Sequence, residues 1–450
     1  MTTTWLLAHG LGGRADLPLP TWMFGYGAAA AVVASFGALA LFWPEARLEG
    51  GPAGRVVADT RHPAFRVLAV AARVAGLALF AVVMVAAAVG DNSSSTNLAP
   101  VVVYVTFWVG VLFVSGLVGD VWRVLSPYDT LALVARRVGG GAADDAEGEV
   151  EGEDGGEESL TYWPAALGIL VFVWVELVYP DRALPRTLFA LMAAYTVAVL
   201  AGALARGRSW LRFGEAFGAL FSVVAHAAPL WRDDEGRLRL RPPFVGLAAL
   251  EWRPGLEALV VVALGSTTYD GLTRTRFWLD LTGGLEGDAA TLAGTAGLVW
   301  AVATVAVAFA LAMRVASRLV DGRMSPAGMR AAFVHSLVPI VLAYAVAHYF
   351  SLLLLEGQAA YALASDPLGR GWDLFGTADW TVDFTLVSPL TVAYVQCGAI
   401  VVGHVAGVVV AHDRALALFD DPRTATRSQY PLLGAMVLFT VGGLFLLLGG

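Results

Sequence analysis

About ten times along this 450-residue chain, an apolar run recurs that is long enough for a helix to cross a bilayer, which takes about 20 residues. The runs fall at 21–43, 67–89, 98–118, 162–179, 186–205, 255–271, 292–313, 333–355, 386–411 and 430–449, the fourth and sixth being short. Inside lipid the backbone must satisfy its own hydrogen bonds, which a helix does. The expected fold is therefore all-α: a polytopic integral membrane helical bundle forming one membrane domain over residues 1–450. Composition agrees, with 58% hydrophobic and 15% charged residues, where soluble domains hold about half and a quarter. The lipid bilayer is the first partner this implies, with a multi-pass place in the cell (plasma) membrane.

Arginine distribution orients the runs, because short loops rich in basic residues stay cytoplasmic. Every basic residue is Arg. Loops after odd-numbered runs hold 22 of the 29, among them Arg123, eight between Arg206 and Arg253, Arg330 and Arg414. The other side holds six: Arg14, Arg182, Arg186, Arg274, Arg276 and Arg370. Both termini are expected outside, and removing one run would mix the two sets.

The net charge of −8 and the absence of Lys argue against a nucleic-acid partner, which needs a basic patch. A Lys-free acidic chain also fits a salt-adapted (halophile) source. The single cysteine, Cys397, allows no intrachain disulfide. The N-terminal residues before His9 lack a basic n-region and do not read as a cleavable signal peptide.

Two cytoplasmic loops stand apart. Residues 139–159 carry nine acids and no base, the composition of a disordered, solvated acidic linker. Residues 208–230 are apolar with Arg208, Arg212 and Glu215 at the start, which reads as an interfacial amphipathic helix. Together these two loops are where a protein partner would dock on the cytoplasmic face. Outside, 356–384 reads as a packed lid, and the Gly265–Gly271 run GSTTYDG as a helix break of the kind discontinuous transporter helices use.

Ionisable groups within spans are expensive and mark functional sites. The eighth run carries His335, Tyr344, His348 and Ser351; the ninth carries Gln396, Cys397 and His404. At about 1.5 Å of rise per residue, His348, Cys397 and Glu176 each lie about 21 Å above the cytoplasmic ends of their helices. Tyr269 and Asp270 reach the same level. The candidate substrate- or ion-binding layer is thus His348, Asp270, Tyr269, Glu176, Gln396 and Cys397, with Tyr344 added from the His348 face of the same helix. Two carboxylates with an imidazole suit a proton-coupled carrier or a divalent metal. His348 and Asp270, with His9 folding over from the N-terminal segment, are the candidate metal ligands. The bland alternative puts the carboxylates at the headgroup boundary and His348 in a helix–helix hydrogen bond. His335, His404 and His412 form a weaker candidate cluster nearer the cytoplasm.

The stretches AHGLGGRADLPLP, GDVWRVLSPYDTL, RFGEAF, STTYDG, HSLVPIVLAYAVAHY and GHVAGVVVAHDRAL resemble a family of prokaryotic polytopic membrane proteins often labelled fenitrothion hydrolase-like. That resemblance runs from the first apolar run to the last and implies organophosphate ester hydrolysis, which a metal-activated water would serve. Three functions therefore stand as expectations: a carrier or permease for a small solute or ion, a membrane-embedded metal-dependent hydrolase, and a non-catalytic membrane subunit of a complex.

Overall fold

A computed structural model describes residues 21–49, 54–138 and 159–448. His9 and the acidic linker to residue 158 lie outside these described residues. In chain order the principal helices are α1 (Thr21–Phe42), α2 (Pro63–Val89), α3 (Leu98–Leu117), α4 (Pro127–Val138), α5 (Trp163–Leu177) and α6 (Pro185–Arg206). There follow α7 (Ala216–Ala225), α8 (Leu256–Thr273), α9 (Gly287–Leu319), α10 (Pro326–Ser365), α11 (Pro389–Leu418) and α12 (Pro422–Leu448). Each expected apolar run folds as a helix. Eight of them, α1, α2, α3, α6, α9, α10, α11 and α12, are long and apolar enough to cross a membrane. The protein is a multi-pass helical membrane protein. Of the two shorter ones, α5 has 15 residues and α8 has 18, with Asp270 in its polar second half.

Starts are written in the sequence. Proline opens α2, α6, α10 and α11, where its missing N–H costs nothing and its fixed φ suits the first turn. Ser325 and Ser388 cap the helices that follow them, accepting from Gly328 N and Thr391 N at 3.1 Å each. Within α10 the helix tightens to 3-10 turns at Val334–Leu337 and Glu356–Gln358.

Burial ranks the helices. In α3 and α10, 72% of the most apolar window is enclosed, against 6% in α2 and 17% in α6. The outer helices expose apolar side chains such as Val67, Val197 and Leu438, the surface lipid requires. At the centre α10 and α11 approach closely: a Cβ on Gly403 would fall 2.1 Å from Ala343 Cβ, and one on Gly407 would fall 2.8 Å from Ser336 O.

Loops after odd-numbered runs meet one another. Three short strands, β1 (Arg55–Asp59), β2 (Leu230–Arg232) and β3 (Arg237–Leu240), form an antiparallel sheet in the order β1-β3-β2. Among the described residues this sheet is the one addition to the all-helical expectation. At the same end Arg208 holds Asp129 through two 2.6 Å bonds, Arg330 holds Glu257 at 3.0 Å, and Arg414 pairs with Glu49. Loops after even-numbered runs meet at the other end, where Asp91 N donates to Leu368 O at 2.8 Å and Arg186 N to Asn92 Oδ1 at 3.0 Å.

Three local expectations are corrected. The 208–230 stretch divides into a turn of helix, Trp210–Phe213, and α7, which does not lie on a surface. Eight of its ten residues are buried between α3, α5 and α10, because both of its faces are apolar. GSTTYDG does not break its helix: Ser266 returns its hydroxyl to Ala263 O, Thr267 and Thr268 return theirs to Leu264 O, and α8 runs on to Thr273. Gly265 serves packing, since a Cβ there would lie 2.5 Å from Val302 Cα on α9. The 356–384 loop is tied by its own bonds, Ser365 Oγ accepting from Phe375 N and Thr377 N at 3.2 Å, and does not line the cavity described next.

Candidate functional site

The C-terminal ends of α5 and α8 run side by side to the arginine-poor end of the bundle, and the start of α9 faces them. Between them lies a cavity of about 310 Å³. Its walls include Glu176 from α5, Arg182 from the turn beyond it, Tyr269, Asp270 and Thr273 from α8, and Trp278 and Thr282 from the short helix Arg276–Thr282. Small residues on α9 make the room. A Cβ on Gly297 would lie 2.3 Å from the Trp278 ring and 2.7 Å from that of Tyr269. Tyr269 and Trp278 meet edge to face at 5.6 Å.

Asp270 is 5% exposed and well provided with partners. His348, from the enclosed α10, hydrogen-bonds its Oδ2 through Nε2, and Arg274 Nη2 lies 3.6 Å from Oδ1 and 3.3 Å from the same His348 nitrogen. One imidazole nitrogen cannot both donate to Asp270 and accept from Arg274. The assignment that satisfies most groups has Nε2–H donating to Asp270 and Arg274 compensating the carboxylate's charge.

Glu176 is the opposite case. It is 1% exposed, and among the described residues neither carboxylate oxygen accepts a hydrogen bond of normal geometry, the Trp108 indole N–H being the nearby donor. The charges it senses are Asp270, of like sign, and Arg182, of opposite sign. An ionised carboxylate buried without a partner costs several kcal/mol, which a proton or a bound cationic group removes. Its neighbours come from a ten-residue π-helical stretch of α3, Val102–Val111. Tyr104 in that stretch donates to Arg182 O at 2.9 Å, fixing the turn after α5, while the buried Trp108 Nε1 faces Glu176 without a hydrogen bond of normal geometry among the described residues. π-Helical segments widen a helix locally and recur at functional sites.

Of the seven candidate residues, Glu176, Tyr269 and Asp270 line this cavity, and His348 is joined to it through its bond to Asp270. The other three face elsewhere. Tyr344 donates to Phe439 O at 2.7 Å and lines a separate apolar cleft towards α12. Gln396 is buried in α11, and Cys397 sits in a small cluster with Ala28, Ala347, Ile400 and Leu444. Nor do His335, His404 and His412 form a metal-holding group. His404 Nδ1 lies 2.9 Å from Ile400 O, and His412 bonds Gln429 Oε1 and Trp43 O at 3.1 Å each. Among the described residues no three His, Cys, Asp or Glu side chains stand close enough to hold a metal ion, and His9 lies outside them.

Sequence reasoning counted Arg182 and Arg274 only as topology markers and passed over Trp108 and Trp278. A signal existed for Arg274, which follows Asp270 by one helical turn, the spacing at which opposite charges pair. The other motif stretches pack at the arginine-rich end. Trp122 of GDVWRVLSPYDTL donates to Glu215 of RFGEAF at 3.3 Å, and Asp413 of AHDRAL accepts from the backbone N–H groups of Arg47, Leu48 and Glu49. No protein-family model matches the chain, no curated protein matches it, and no solved structure matches it.

Proposed function

We propose that this protein is a carrier for a small polar solute or ion, working through the cavity between α5, α8 and α9. In this reading the chain crosses the cell (plasma) membrane ten times with both termini outside, so the cavity opens outward. The observation that carries the proposal is Glu176: a buried carboxylate with no ion pair and no hydrogen bond of normal geometry among the described residues, on the wall of a cavity whose other acid, Asp270, is compensated by His348 and Arg274. Such a group exchanges a proton for a cationic ligand at little structural cost, since nothing else must rearrange to release it. Asp270, held by His348 and Arg274, fixes the local field and the orientation of α8 against α10. The short α5 and the polar end of α8 are what a binding site partway through a bilayer requires, because polar backbone ends and side chains there face a cavity and not lipid.

The test is uptake by proteoliposomes offered radiolabelled small amines, amino acids and alkali cations under an imposed pH gradient. Uptake above that of empty vesicles, abolished by Glu176→Gln, is the expected result. No uptake of any of them in either gradient direction would sink the carrier reading.

The His348–Asp270 contact also favours a second reading, a metal-dependent hydrolase in which His9 completes the ligand set. Metal analysis of the same purified protein separates the two, since the hydrolase requires stoichiometric metal that His348→Ala removes.

A further inference from the structure

Two charges in the cavity stand outside any ion pair among the described residues, and they differ in sign. Glu176 accepts no hydrogen bond of normal geometry from them, the Trp108 indole being the one donor near it. The guanidinium of Arg182, half-buried on the same wall, donates to Tyr179 O at 3.3 Å, and no carboxylate lies within salt-bridge distance of it among the described residues. Yet the two do not pair with each other. Asp270 cannot serve Arg182, being already taken by His348 and Arg274. The cavity therefore presents a separated acceptor and donor, the first buried and the second half-buried, neither in an ion pair among the described residues.

We infer that this cavity binds a small zwitterion of the α-amino-acid type, its ammonium group on Glu176 and its carboxylate on Arg182. The inference rests on the reading of the cavity as the substrate site and supplies the substrate class. A simple cation would neutralise Glu176 and leave Arg182 bare, and a simple anion would do the reverse. Only a molecule carrying both charges satisfies both without adding net charge to a buried place. Charge-assisted hydrogen bonds at both ends would fix its direction, and a guanidinium suits a carboxylate in particular. Size agrees, for about 310 Å³ is at the small end of the roughly 300–1,000 Å³ range of ligand pockets. Tyr269 and Trp278 line the same cavity, giving an aromatic wall beside the ammonium position and room for a short apolar side chain.

The experiment titrates the purified, detergent-solubilised full chain with glycine, alanine, methylammonium and acetate, reading binding by calorimetry. Glycine or alanine should bind at least about tenfold more tightly than either half-molecule, a difference of about 1.4 kcal/mol. Arg182→Gln should erase the preference for glycine over methylammonium, and Glu176→Gln the preference over acetate. Arg182→Lys, which keeps the charge, should retain part of the first. Equal binding of glycine and methylammonium to the natural chain, or an Arg182→Gln variant that folds and keeps its preference, overturns the inference. So does failure of both amino acids to bind. Glycine that binds but is never accumulated by proteoliposomes would instead dispose of the carrier and leave the zwitterion site standing.

Discussion

Three buried carboxylates show what separates structure from function in this chain. Asp413, 1% exposed, accepts four hydrogen bonds, from the backbone N–H groups of Arg47, Leu48 and Glu49 and from Trp43 Nε1. Glu215 caps α7, accepting from Phe217 N at 3.0 Å, Gly218 N at 2.6 Å, Trp122 Nε1 and the Tyr195 hydroxyl. Both are saturated and hold loops to helices. Glu176 is just as buried and accepts no hydrogen bond of normal geometry among the described residues. Their substitutions should therefore move stability in different directions. Asp413→Ala strands several buried donors and should lower the stability of the purified protein by about 1–3 kcal/mol. Glu176→Gln removes an unpaired charge and should leave the melting temperature unchanged or raise it. Thermal denaturation in detergent measures both, and a Glu176→Gln variant that melts far lower would mean the carboxylate has a structural partner after all.

At the scale of elements, the α10–α11 crossing carries the site's geometry, because His348 projects from α10. Gly403 and Gly407 are spaced as small-xxx-small residues, and that spacing lets two helices in a membrane approach backbone to backbone. Gly403→Val places carbon where Ala343 Cβ and Pro339 O already are, 2.1 and 2.9 Å away. The crossing must open, with a loss of about 1–3 kcal/mol from overpacking and a displaced His348. Gly398, on the same helix with nothing within 4 Å, serves as control. We expect Gly403→Val to lower both melting temperature and solute binding and Gly398→Val to lower neither, and equal effects from the two would refute the close-approach argument. The π-helical stretch of α3 works at this scale as well, since it brings Tyr104 and Trp108 together on the Arg182 side of the bundle.

At the scale of the whole molecule, the bundle has two chemically distinct ends. One is stitched by arginine–carboxylate pairs and the three-stranded sheet, the other by backbone bonds between loops and by the cavity. Single cysteines introduced into a Cys397→Ser chain test which end faces out. Ser95→Cys and Asp379→Cys belong to the arginine-poor end and should react with a membrane-impermeant thiol reagent on intact cells, while Glu235→Cys should react only after lysis. Labelling of Glu235→Cys on intact cells would invert the molecule, and labelling of all three would mean the two ends are not separated by a membrane.

The sequence by itself determined the membrane class, the positions of the helices and the grouping of loops into two sets. These are one-dimensional properties: apolar length fixes a span, and arginine counts sort loops without knowledge of packing. It also determined depth, since rise per residue is constant, and depth alone put Glu176, Tyr269, Asp270 and His348 at one level. Rotation and neighbourhood were decided only by the tertiary structure. Gln396 and Cys397, expected at the same level, and Tyr344, one turn from His348, do not line the cavity, and no periodicity in an all-apolar helix tells which face meets which partner. The burial of α7 is of the same kind, because an apolar helix of ten residues reads alike whether lipid or protein surrounds it. So is the contrast between Asp270 and Glu176: two acids of similar expected depth, of which packing gave one an imidazole and a guanidinium and left the other without an ion pair among the described residues.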